Sequence, residues 1–421
     1  MKDLLYNERN VEFRRGERVA LLNKDNLERI FLDNVDCEKI KKNDFSELSF
    51  EEIHLLLAKG FILEKGKKII HKEEREPLKC GNLKCDYIRL ILTEKCNLAC
   101  QYCFVDKSKK DFAEENIKDL CKFVKQNCEQ NVELQFFGGE PLICFDIIAK
   151  CIQRLEEECS SHKFSYIITT NGTLINKEIA TVFKKHNFKV YISIDGNKKM
   201  HDAYRKYRNG NGSYVNTVEG INYLKELGVN VSALITYNQF NSHFLADAVE
   251  HIICNLGLLQ VALNTPQPTE DGWEVNGKEF AKDLIRALRM AKKCGGKLYS
   301  VADKVLYALR TKHVQKNSCS RGKNNYSVAI TPDFKISFCN VCWKEDVLQD
   351  NKCDIEKKIS EWKKIGETED NSHCANCPAK SICGGYCPVE KYFAKNAKKE
   401  ERKINQKCIF YNELLKWAIW I

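Results

Sequence analysis

The sequence predicts an α/β protein in which a partial (β/α)6 barrel lies between a small N-terminal winged-helix-like module and a cysteine-rich C-terminal region. The barrel is predicted by six apolar, β-branched runs, each followed by a helical pattern, because consecutive βα units form parallel strands with right-handed crossovers. The C-terminal region is predicted by its cysteines, since nine of the 22 in the chain lie between Cys319 and Cys408. We place the domains at residues 1–80, 81–300 and 301–421.

Residues 1–80 predict a strand–helix–wing module. Residues Val11–Asn23 alternate like a β-hairpin, and Phe61–Ile70 read as a second hairpin. Between them a helix is expected over Ser49–Lys59, where Ser49 and Glu52 fit a capping box.

The middle region carries the predicted barrel. Its strands are expected at Tyr87–Thr93, Val132–Phe137, Tyr166–Thr170, Val190–Ile194, Val229–Thr236 and Leu258–Asn264. Its helices are expected at Glu114–Cys128, Asp146–Glu158, Asn176–His186, Tyr214–Leu227, Ser242–Asn255 and Lys278–Lys293. In barrels of this kind the active site lies at the C-terminal ends of the strands. The regular alternation stops near residue 315, beyond which we expect short strands at Tyr326–Ile330 and Lys335–Phe338 and a last helix at Tyr411–Trp420.

Composition narrows the class of protein. The N-terminus is charged and has no apolar core of signal-peptide length, and no apolar run reaches the length of a membrane span. We therefore expect a cytoplasmic protein with no membrane partner. Clustered cysteines in a reducing compartment indicate metal rather than disulfides. The net charge of +10 is spread along the chain without a basic stripe interleaved with aromatic residues, so we expect no nucleic-acid partner.

Three cysteines directly follow the first barrel strand. The segment TEKCNLACQYCF places Cys96, Cys100 and Cys103 in a C-x3-C-x2-C array. Three thiolates on one short loop suit three irons of a [4Fe-4S] cluster and leave the fourth iron without a protein ligand. A structural zinc site is the alternative, but it requires four closed ligands and this loop supplies three.

These cysteines and the motifs on the next strands resemble the radical S-adenosylmethionine (SAM) superfamily. The second predicted strand ends in FFGGEP, the third in TTNGT and the fourth in SIDG, and an H-D-x-x-R arrangement follows. The resemblance implies that Gly138, Gly139 and Glu140 bind the SAM amino group. It also implies that Ser193 contacts the ribose, Arg205 the carboxylate, and Tyr102 lies near the adenine.

The resemblance implies an activity as well. Enzymes of that superfamily pass one electron from the cluster to SAM, which yields methionine and a 5′-deoxyadenosyl radical that abstracts hydrogen from the substrate. A flavodoxin or ferredoxin-type protein is the expected reductant. The cofactor supplies the difficult chemistry, while the protein orients the substrate and excludes water. No further catalytic residue is assigned.

The C-terminal cysteines resemble the SPASM domain of radical SAM enzymes that modify peptides and proteins. That resemblance implies two auxiliary [4Fe-4S] clusters and so three clusters in all. One would be held by Cys374, Cys377, Cys383 and Cys408. The other would be held by Cys319, Cys339 and Cys387. Zinc knuckles are the alternative for the C-x2-C spacing.

The pattern departs from the SPASM domain at two points. The position that is often glycine, five residues before the second cysteine, is Phe334 here. The second set of ligands also lacks an obvious fourth member. Cys342 is a candidate, Cys353 a weaker one, and an open iron that binds a substrate cysteine is the third possibility.

The sequence resembles peptide maturases that act on ribosomally made precursor peptides with a leader. The resemblance implies that the module over residues 1–80 binds the leader as an added strand, and a structural cap on the barrel is the alternative. Installation of a cysteine thioether crosslink is the first expectation, and carbon–carbon crosslinking or epimerisation are alternatives. An anaerobic sulfatase-maturing, formylglycine-forming enzyme is the chief rival, yet such enzymes usually begin closer to the cluster motif. They also tend to have aspartate where Asn340 stands. An iron–sulfur electron-transfer protein without catalysis is the alternative from another class.

Overall fold

The computed structural model describes residues 4–66, 84–103, 105, 110–265, 275–315, 325–337, 349–350, 374, 376–385 and 400–421. Several predicted sites lie outside the described residues: Cys319, Cys339, Asn340, Cys342, Cys353 and Cys387. The far half of the second N-terminal hairpin, over residues 67–70, lies outside them too.

The N-terminal module contains a three-stranded antiparallel sheet, a two-stranded sheet and two helices. Its elements are β1 Leu4–Tyr6, β2 Asn10–Arg15, β3 Arg18–Asn23, β4 Arg29–Asp33, α1 Asn34–Lys41, α2 Phe50–Ala58 and β5 Ile62–Glu64. The first predicted hairpin is confirmed, since β2 pairs with β3. The predicted capping box at Ser49 and Glu52 is also confirmed. The sequence did not predict β4, α1 or the pairing of β5 with β1.

The central strand β3 is buried on both faces. Leu21 packs with the apolar side chains of α1 and α2, which form a small core of their own. Ala20 and Leu22 face the other way and join the main core of the protein together with Phe13 and Leu27. Because side chains alternate along a strand, one short segment holds the module together and attaches it to the barrel.

The central region is an open, mainly parallel sheet with helices packed against it. Its elements are β6 Lys84–Thr93, α3 Asn116–Asn127, β7 Cys128–Gly138, a 3-10 turn Pro141–Cys144, α4 Phe145–Glu158, β8 Lys163–Thr170, α5 Lys177–Lys185, β9 Lys189–Ser193, α6 Lys198–Tyr204, α7 Tyr214–Glu226, β10 Asn230–Thr236, α8 Leu245–Glu250, a π-helical turn His251–Asn255, β11 Gln260–Asn264, α9 Gly277–Lys293, β12 Lys297–Tyr299 and α10 Val301–Thr311. Strands β6 to β12 are adjacent in chain order and parallel. The six predicted strands and six predicted helices are therefore confirmed, while α6, β12 and α10 were not predicted.

The sheet continues beyond the predicted barrel on the side of β6. The last elements are β13 Asn325–Ile330, β14 Ile336–Ser337, β15 Gln349–Asp350, α11 Lys380–Cys383 and α12 Glu400–Ala418. Strand β13 pairs in parallel with β6, and β14 and β15 follow antiparallel. The two predicted short strands are thus part of the barrel sheet, and the last helix begins earlier than predicted.

The β13–β14 turn contains Phe334, the position at which the resemblance to the SPASM domain predicts glycine. Phe334 has φ +55, in the left-handed region that a bulky residue rarely adopts. Its amide donates to the Thr331 carbonyl at 2.9 Å, and its ring lies 6.3 Å from that of Phe112. Packing against the core therefore holds this residue in a conformation that costs about 1 kcal/mol.

Helix α12 packs across α9 and connects the C-terminal region to the barrel. The rings of Phe410 and Phe280 stack with centroids 4.5 Å apart, and Tyr237 stacks on the other side of Phe280. Gly277 permits this approach, since a Cβ there would lie 2.0 Å from the Gln406 carbonyl oxygen. Among the described residues, none of the helices combines the length and apolar character needed to cross a membrane.

Candidate functional site

The predicted site residues gather at one edge of the sheet, where parallel strands end. The cysteine loop follows β6, β7 ends at Gly138 with Gly139 directly after it, and Asn171 follows β8. Asp195 follows β9 in the same way. Parallel pairing of β6 to β10 brings these loops together, as expected for an α/β sheet that binds ligands at the C-terminal ends of its strands.

The cysteine loop is fastened by backbone hydrogen bonds to the segment after α6. The Ala99 amide donates to the Lys206 carbonyl at 2.7 Å, and the Gln101 amide donates to the Tyr204 carbonyl at 3.2 Å. A polar chain adds a second attachment to the end of β8: Asn171 donates to Asn97, and Asn97 donates to Thr173. The loop is therefore attached both to the end of α6 and to the end of β8.

Cys96, Cys100 and Cys103 are each half-buried on this loop. The Leu98 amide donates to the Cys96 sulfur at 3.4 Å, as a backbone amide does to a thiolate ligand. Burial raises the pKa of the Cys96 thiol to about 12, and Glu140, Cys100 and Cys103 act on it electrostatically in the same direction. Three partly accessible sulfurs on one short loop fit the ligand set of an iron–sulfur cluster.

Gly138 and Gly139 bring the end of β7 into contact with the cysteine loop. A Cβ on Gly138 would lie 2.2 Å from the Thr93 carbonyl oxygen, and one on Gly139 would lie 2.2 Å from that of Lys95. The Gly139 amide donates to Thr93 at 2.7 Å, and the Glu140 amide donates to Lys95 at 2.9 Å. Only glycine allows the two backbone segments to approach this closely. The sequence motif predicted that these glycines bind SAM and did not predict their contact with the cysteine loop.

Glu140 is fully buried and accepts three hydrogen bonds. Its carboxyl oxygens accept from the Thr170 hydroxyl at 2.6 Å, the Asn171 amide at 2.7 Å and the Leu142 amide at 3.1 Å. Burial raises the pKa of Glu140 to about 7, against the lowering effect of those donors. A cationic ligand brought to this carboxylate would stabilise its charged form.

Arg205 forms a buried ion pair with Asp195. Its Nε lies 2.8 Å from Asp195 Oδ2, and the Asp195 carboxylate also accepts from the Tyr102 hydroxyl and, at 3.0 Å, from the Thr236 amide. Burial opposes ionisation of Asp195, but the Arg205 guanidinium outweighs it and lowers the pKa of that carboxyl. The guanidinium carbon lies 5.2 Å from the centre of the Tyr102 ring.

The other two motif residues after β9 position the chain around Arg205. The Asp195 amide donates to His201 Nδ1 at 3.4 Å, and His201 Nε2 lies 2.9 Å from the Ser213 hydroxyl. Ser213 donates its own proton to the Arg205 carbonyl, so His201 is a neutral imidazole with its proton on Nε2. Burial lowers the pKa of His201 to about 4, and Asp202 caps the next segment by accepting from the Tyr214 amide.

Sequence reasoning missed several residues of this site. Asp195, Asn97 and Thr170 received no role, although each stands inside or beside a motif that was recognised. Their importance comes from contacts between loops that are distant in sequence. Ser193, which was predicted, lies half-buried at the end of β9 and pairs in register with Leu234.

Four of the eight predicted C-terminal cysteine ligands lie in the described residues. Cys374 is buried, whereas Cys377, Cys383 and Cys408 are half-buried. The Cys377 amide donates to the Cys374 carbonyl at 3.2 Å, so these two residues share one tight turn. Asn412 on α12 connects this turn to Cys408, because its amide nitrogen lies 3.6 Å from Cys377 Sγ and 2.9 Å from the Cys408 carbonyl oxygen.

Neither set of sulfurs is arranged around a single point. In the part of the chain that the structure describes, no group of three or more His, Cys, Asp or Glu side chains could hold one metal ion. Each thiol of a cubane cluster binds a different iron. Both donor sets consist of thiols alone, and this chemistry suits such a cluster.

The site consists of a three-cysteine loop and a buried carboxyl group at the strand ends of an open parallel sheet. This arrangement is that of an α/β protein with a cofactor site at the C-terminal ends of its strands. Residues 90–252 match the profile of the Radical SAM superfamily. The chain therefore carries a radical SAM domain, which spans the cysteine loop, the glycines after β7 and the Asp195–Arg205 pair.

Curated relatives match parts of this chain. A serine-type anaerobic sulfatase-maturating enzyme of Bacteroides thetaiotaomicron is 31% identical over 36% of this chain and 39% of its own length. The radical SAM cyclopropyl synthase TigE of Paramaledivibacter caminithermalis is 28% identical over 52% of each chain. The chain spans between 39% and 63% of the length of the first four curated relatives.

Two kinds of solved structure share the fold. Native anSMEcpe with bound AdoMet superposes with a TM-score of 0.67 at 18% identity, over 79% of this chain and 97% of that chain. SuiB of Streptococcus suis bound to the precursor peptide SuiA superposes with a TM-score of 0.58 at 16% identity, over 96% and 99%. The likeness to SuiB extends over more of this chain, and the likeness to anSMEcpe has the higher score.

Proposed function

We propose that this protein is a radical SAM enzyme that cleaves SAM reductively and abstracts hydrogen from a peptide substrate. The observation that carries the proposal is the fastening of the cysteine loop to the Gly138–Glu140 segment and to the Asp195–Arg205 segment at one edge of the sheet. A protein that only transferred electrons would need the sulfurs without the buried polar groups around them. That arrangement supports catalysis over the electron-transfer alternative.

Different residues of the site would bind the cluster and the separate groups of SAM. Cys96, Cys100 and Cys103 would hold the cluster, which when bound supplies the electron that cleaves SAM. Glu140 would bind the SAM ammonium, since a fully buried carboxyl is stabilised as an anion by a cation. Ser193 and Tyr102 would contact the nucleoside part.

Arg205 is proposed to bind the SAM carboxylate while it stays paired with Asp195. A guanidinium has five N–H donors in a fixed fork, and the pair with Asp195 uses the donors on Nε and Nη2. The buried ion pair and the neighbouring Tyr102 ring fix the guanidinium plane. Preorganisation of this kind lowers the cost of orienting the ligand.

Formation of 5′-deoxyadenosine tests the catalytic proposal. The full-length protein, reconstituted with iron and sulfide without oxygen and reduced with dithionite, should convert SAM to 5′-deoxyadenosine and methionine. The variant with Cys96→Ala, Cys100→Ala and Cys103→Ala should form neither. A wild-type protein that is replete in iron and produces no 5′-deoxyadenosine would support the electron-transfer alternative instead.

The C-terminal cysteines are proposed to hold two auxiliary clusters in a SPASM domain over 301–421. The first would use Cys374, Cys377, Cys383 and Cys408, and the support is the contact of Asn412 with both Cys377 and the Cys408 carbonyl. The second would use ligands outside the described residues. The triple cysteine variant above should retain two clusters by iron and sulfide analysis, and an iron content equal to that of the wild type would contradict the assignment of the barrel cysteines.

For the substrate we propose a precursor peptide with a leader, and a cysteine thioether crosslink as the product. The support is a folded N-terminal module docked on the barrel through Phe13, Ala20 and Leu22, together with the fold likeness to SuiB over 96% of this chain. A flavodoxin or ferredoxin-type protein is the proposed reductant.

Maturation of sulfatases is the second candidate, and the comparisons favour it to the same degree. Two sulfatase-maturating enzymes are 31% and 34% identical to this chain over their matched segments, and the likeness to anSMEcpe has the higher TM-score. Mass spectrometry separates the two candidates. A sulfatase-derived peptide should gain an aldehyde if the protein matures sulfatases, whereas a cysteine-containing precursor peptide should lose two hydrogens if the protein forms thioethers.

A further inference from the structure

The strongest unexplained contact lies at Cys377, away from the barrel site. Asn412 stands one helical turn after Cys408 on α12, and its side-chain amide nitrogen lies 3.6 Å from Cys377 Sγ. The same nitrogen donates to the Cys408 carbonyl at 2.9 Å. That second bond orients the amide, so its N–H groups are directed between two cysteines that we assign to one cluster.

The N-terminal module contacts the segment that follows this cysteine. The hydroxyl of Ser381 donates to the carbonyl of Lys24, which lies in the loop between β3 and β4. Lys24 is buried there. A second contact joins the two regions nearby, as Lys312 pairs with Glu28 of the same loop.

We propose that Asn412 is a positioning residue that sets the reduction potential of the cluster at Cys374, Cys377, Cys383 and Cys408. The inference rests on the auxiliary cluster of the proposed function. Hydrogen bonds to cluster sulfurs are among the factors that set cluster potentials. Reduction adds one negative charge, so a donor or a cation beside a ligand sulfur stabilises the reduced form more than the oxidised form.

A redox titration tests this inference in the full chain. The background is the variant with Cys96→Ala, Cys100→Ala and Cys103→Ala, in which the remaining signals belong to the C-terminal region. Spin-resonance signals are followed against potential for this background alone and with Asn412→Leu or Asn412→Asp added. We expect one couple to move to a more negative potential, further for the aspartate variant because it also adds a negative charge.

Controls distinguish a change in the reduction potential of the cluster from a general loss of folding. Lys416→Gln changes an exposed residue one turn further along the same helix and should leave both couples in place. The second auxiliary couple serves as an internal reference in every sample.

The proposed function and the inference about Asn412 would each fail with a different experimental result. If the background variant holds no cluster after reconstitution, the auxiliary cluster of the proposed function is wrong. If it holds clusters but no couple moves in either Asn412 variant, the inference is wrong and the proposed function stands. Loss of one cluster from both Asn412 variants would make Asn412 a structural residue, and this too would overturn the inference.

Discussion

The barrel and the C-terminal region each present a set of cysteines, but the structure holds the two sets in different ways. The loop with Cys96, Cys100 and Cys103 is bound by backbone hydrogen bonds to the end of β7 on one side and to the end of α6 on the other. The segment with Cys374, Cys377 and Cys383 is held by single side-chain contacts, from Asn412 of α12 to Cys377 and from its own Ser381 to the backbone carbonyl of Lys24.

This difference indicates which contacts fix the geometry of each set of cysteines. The barrel site is built by topology, so its geometry should survive most single side-chain changes and fail when the backbone is forced apart. The C-terminal turn is built by contacts between regions distant in sequence, so single side-chain changes should reach it. Four substitutions or titrations test this contrast.

The largest effect is expected for Gly139→Ala. The added Cβ would lie 2.2 Å from the Lys95 carbonyl oxygen, one residue before Cys96, so the cysteine loop must move. A displacement near 1 Å can lower a rate by about 100-fold, and we expect at least that loss in 5′-deoxyadenosine formation.

Gly16→Ala is the control for that substitution. It also places a methyl group on a glycine of a tight turn, but nothing lies within 4 Å of the new atom. It should cost about 1 kcal/mol through its positive φ and leave SAM cleavage intact. Equal rates for Gly139→Ala and the wild type would break the claim that backbone contact positions the loop.

The next effect is expected for Asp195→Asn. This change leaves the buried Arg205 guanidinium without its carboxylate, and breaking a buried ion pair by removing one partner costs about 3–5 kcal/mol. Urea unfolding should report that loss. Glu114→Gln, which breaks the exposed pair with Lys150, should change stability by less than about 1 kcal/mol, and similar values for both variants would refute the buried role.

Whether a feature of this site could be predicted from sequence depends on how far apart in the sequence the interacting residues lie. All six barrel strands follow from local patterns of β-branched residues, and the cysteine loop and the glycines follow from their motifs. The Asp195–Arg205 pair and the three donors to Glu140 join separate loops, and no spacing within one motif encodes such contacts. Strand β4 and helix α1 were missed because the segment RIFLDNVDCEKIKK has neither clean alternation nor a continuous apolar stripe.

A smaller effect is expected from acid titration of His201. Its pKa falls from 6.5 to about 4 on burial, so the unfolded chain takes up a proton more readily than the folded one. The contribution to stability is complete above pH 6.5 and is lost as the pH falls toward 4, by about 3 kcal/mol. The difference in unfolding free energy between the wild type and His201→Gln should therefore shrink by that amount from pH 7 to pH 4, and a difference independent of pH would show that His201 is not buried neutral.

The smallest effect, and the one that tests the C-terminal half of the contrast, is expected for Ser381→Ala. The substitution removes the hydrogen bond from Ser381 to the Lys24 carbonyl, and a single neutral hydrogen bond contributes about 1 kcal/mol. Because that bond joins the cysteine turn to the N-terminal loop, limited proteolysis should cut the 374–385 segment sooner in this variant while SAM cleavage in the barrel is retained. Ser46→Ala, which removes an exposed hydroxyl that bonds only within its own turn, is the matched control. Equal protection of the segment in both variants would mean that the N-terminal module does not support the C-terminal cysteines.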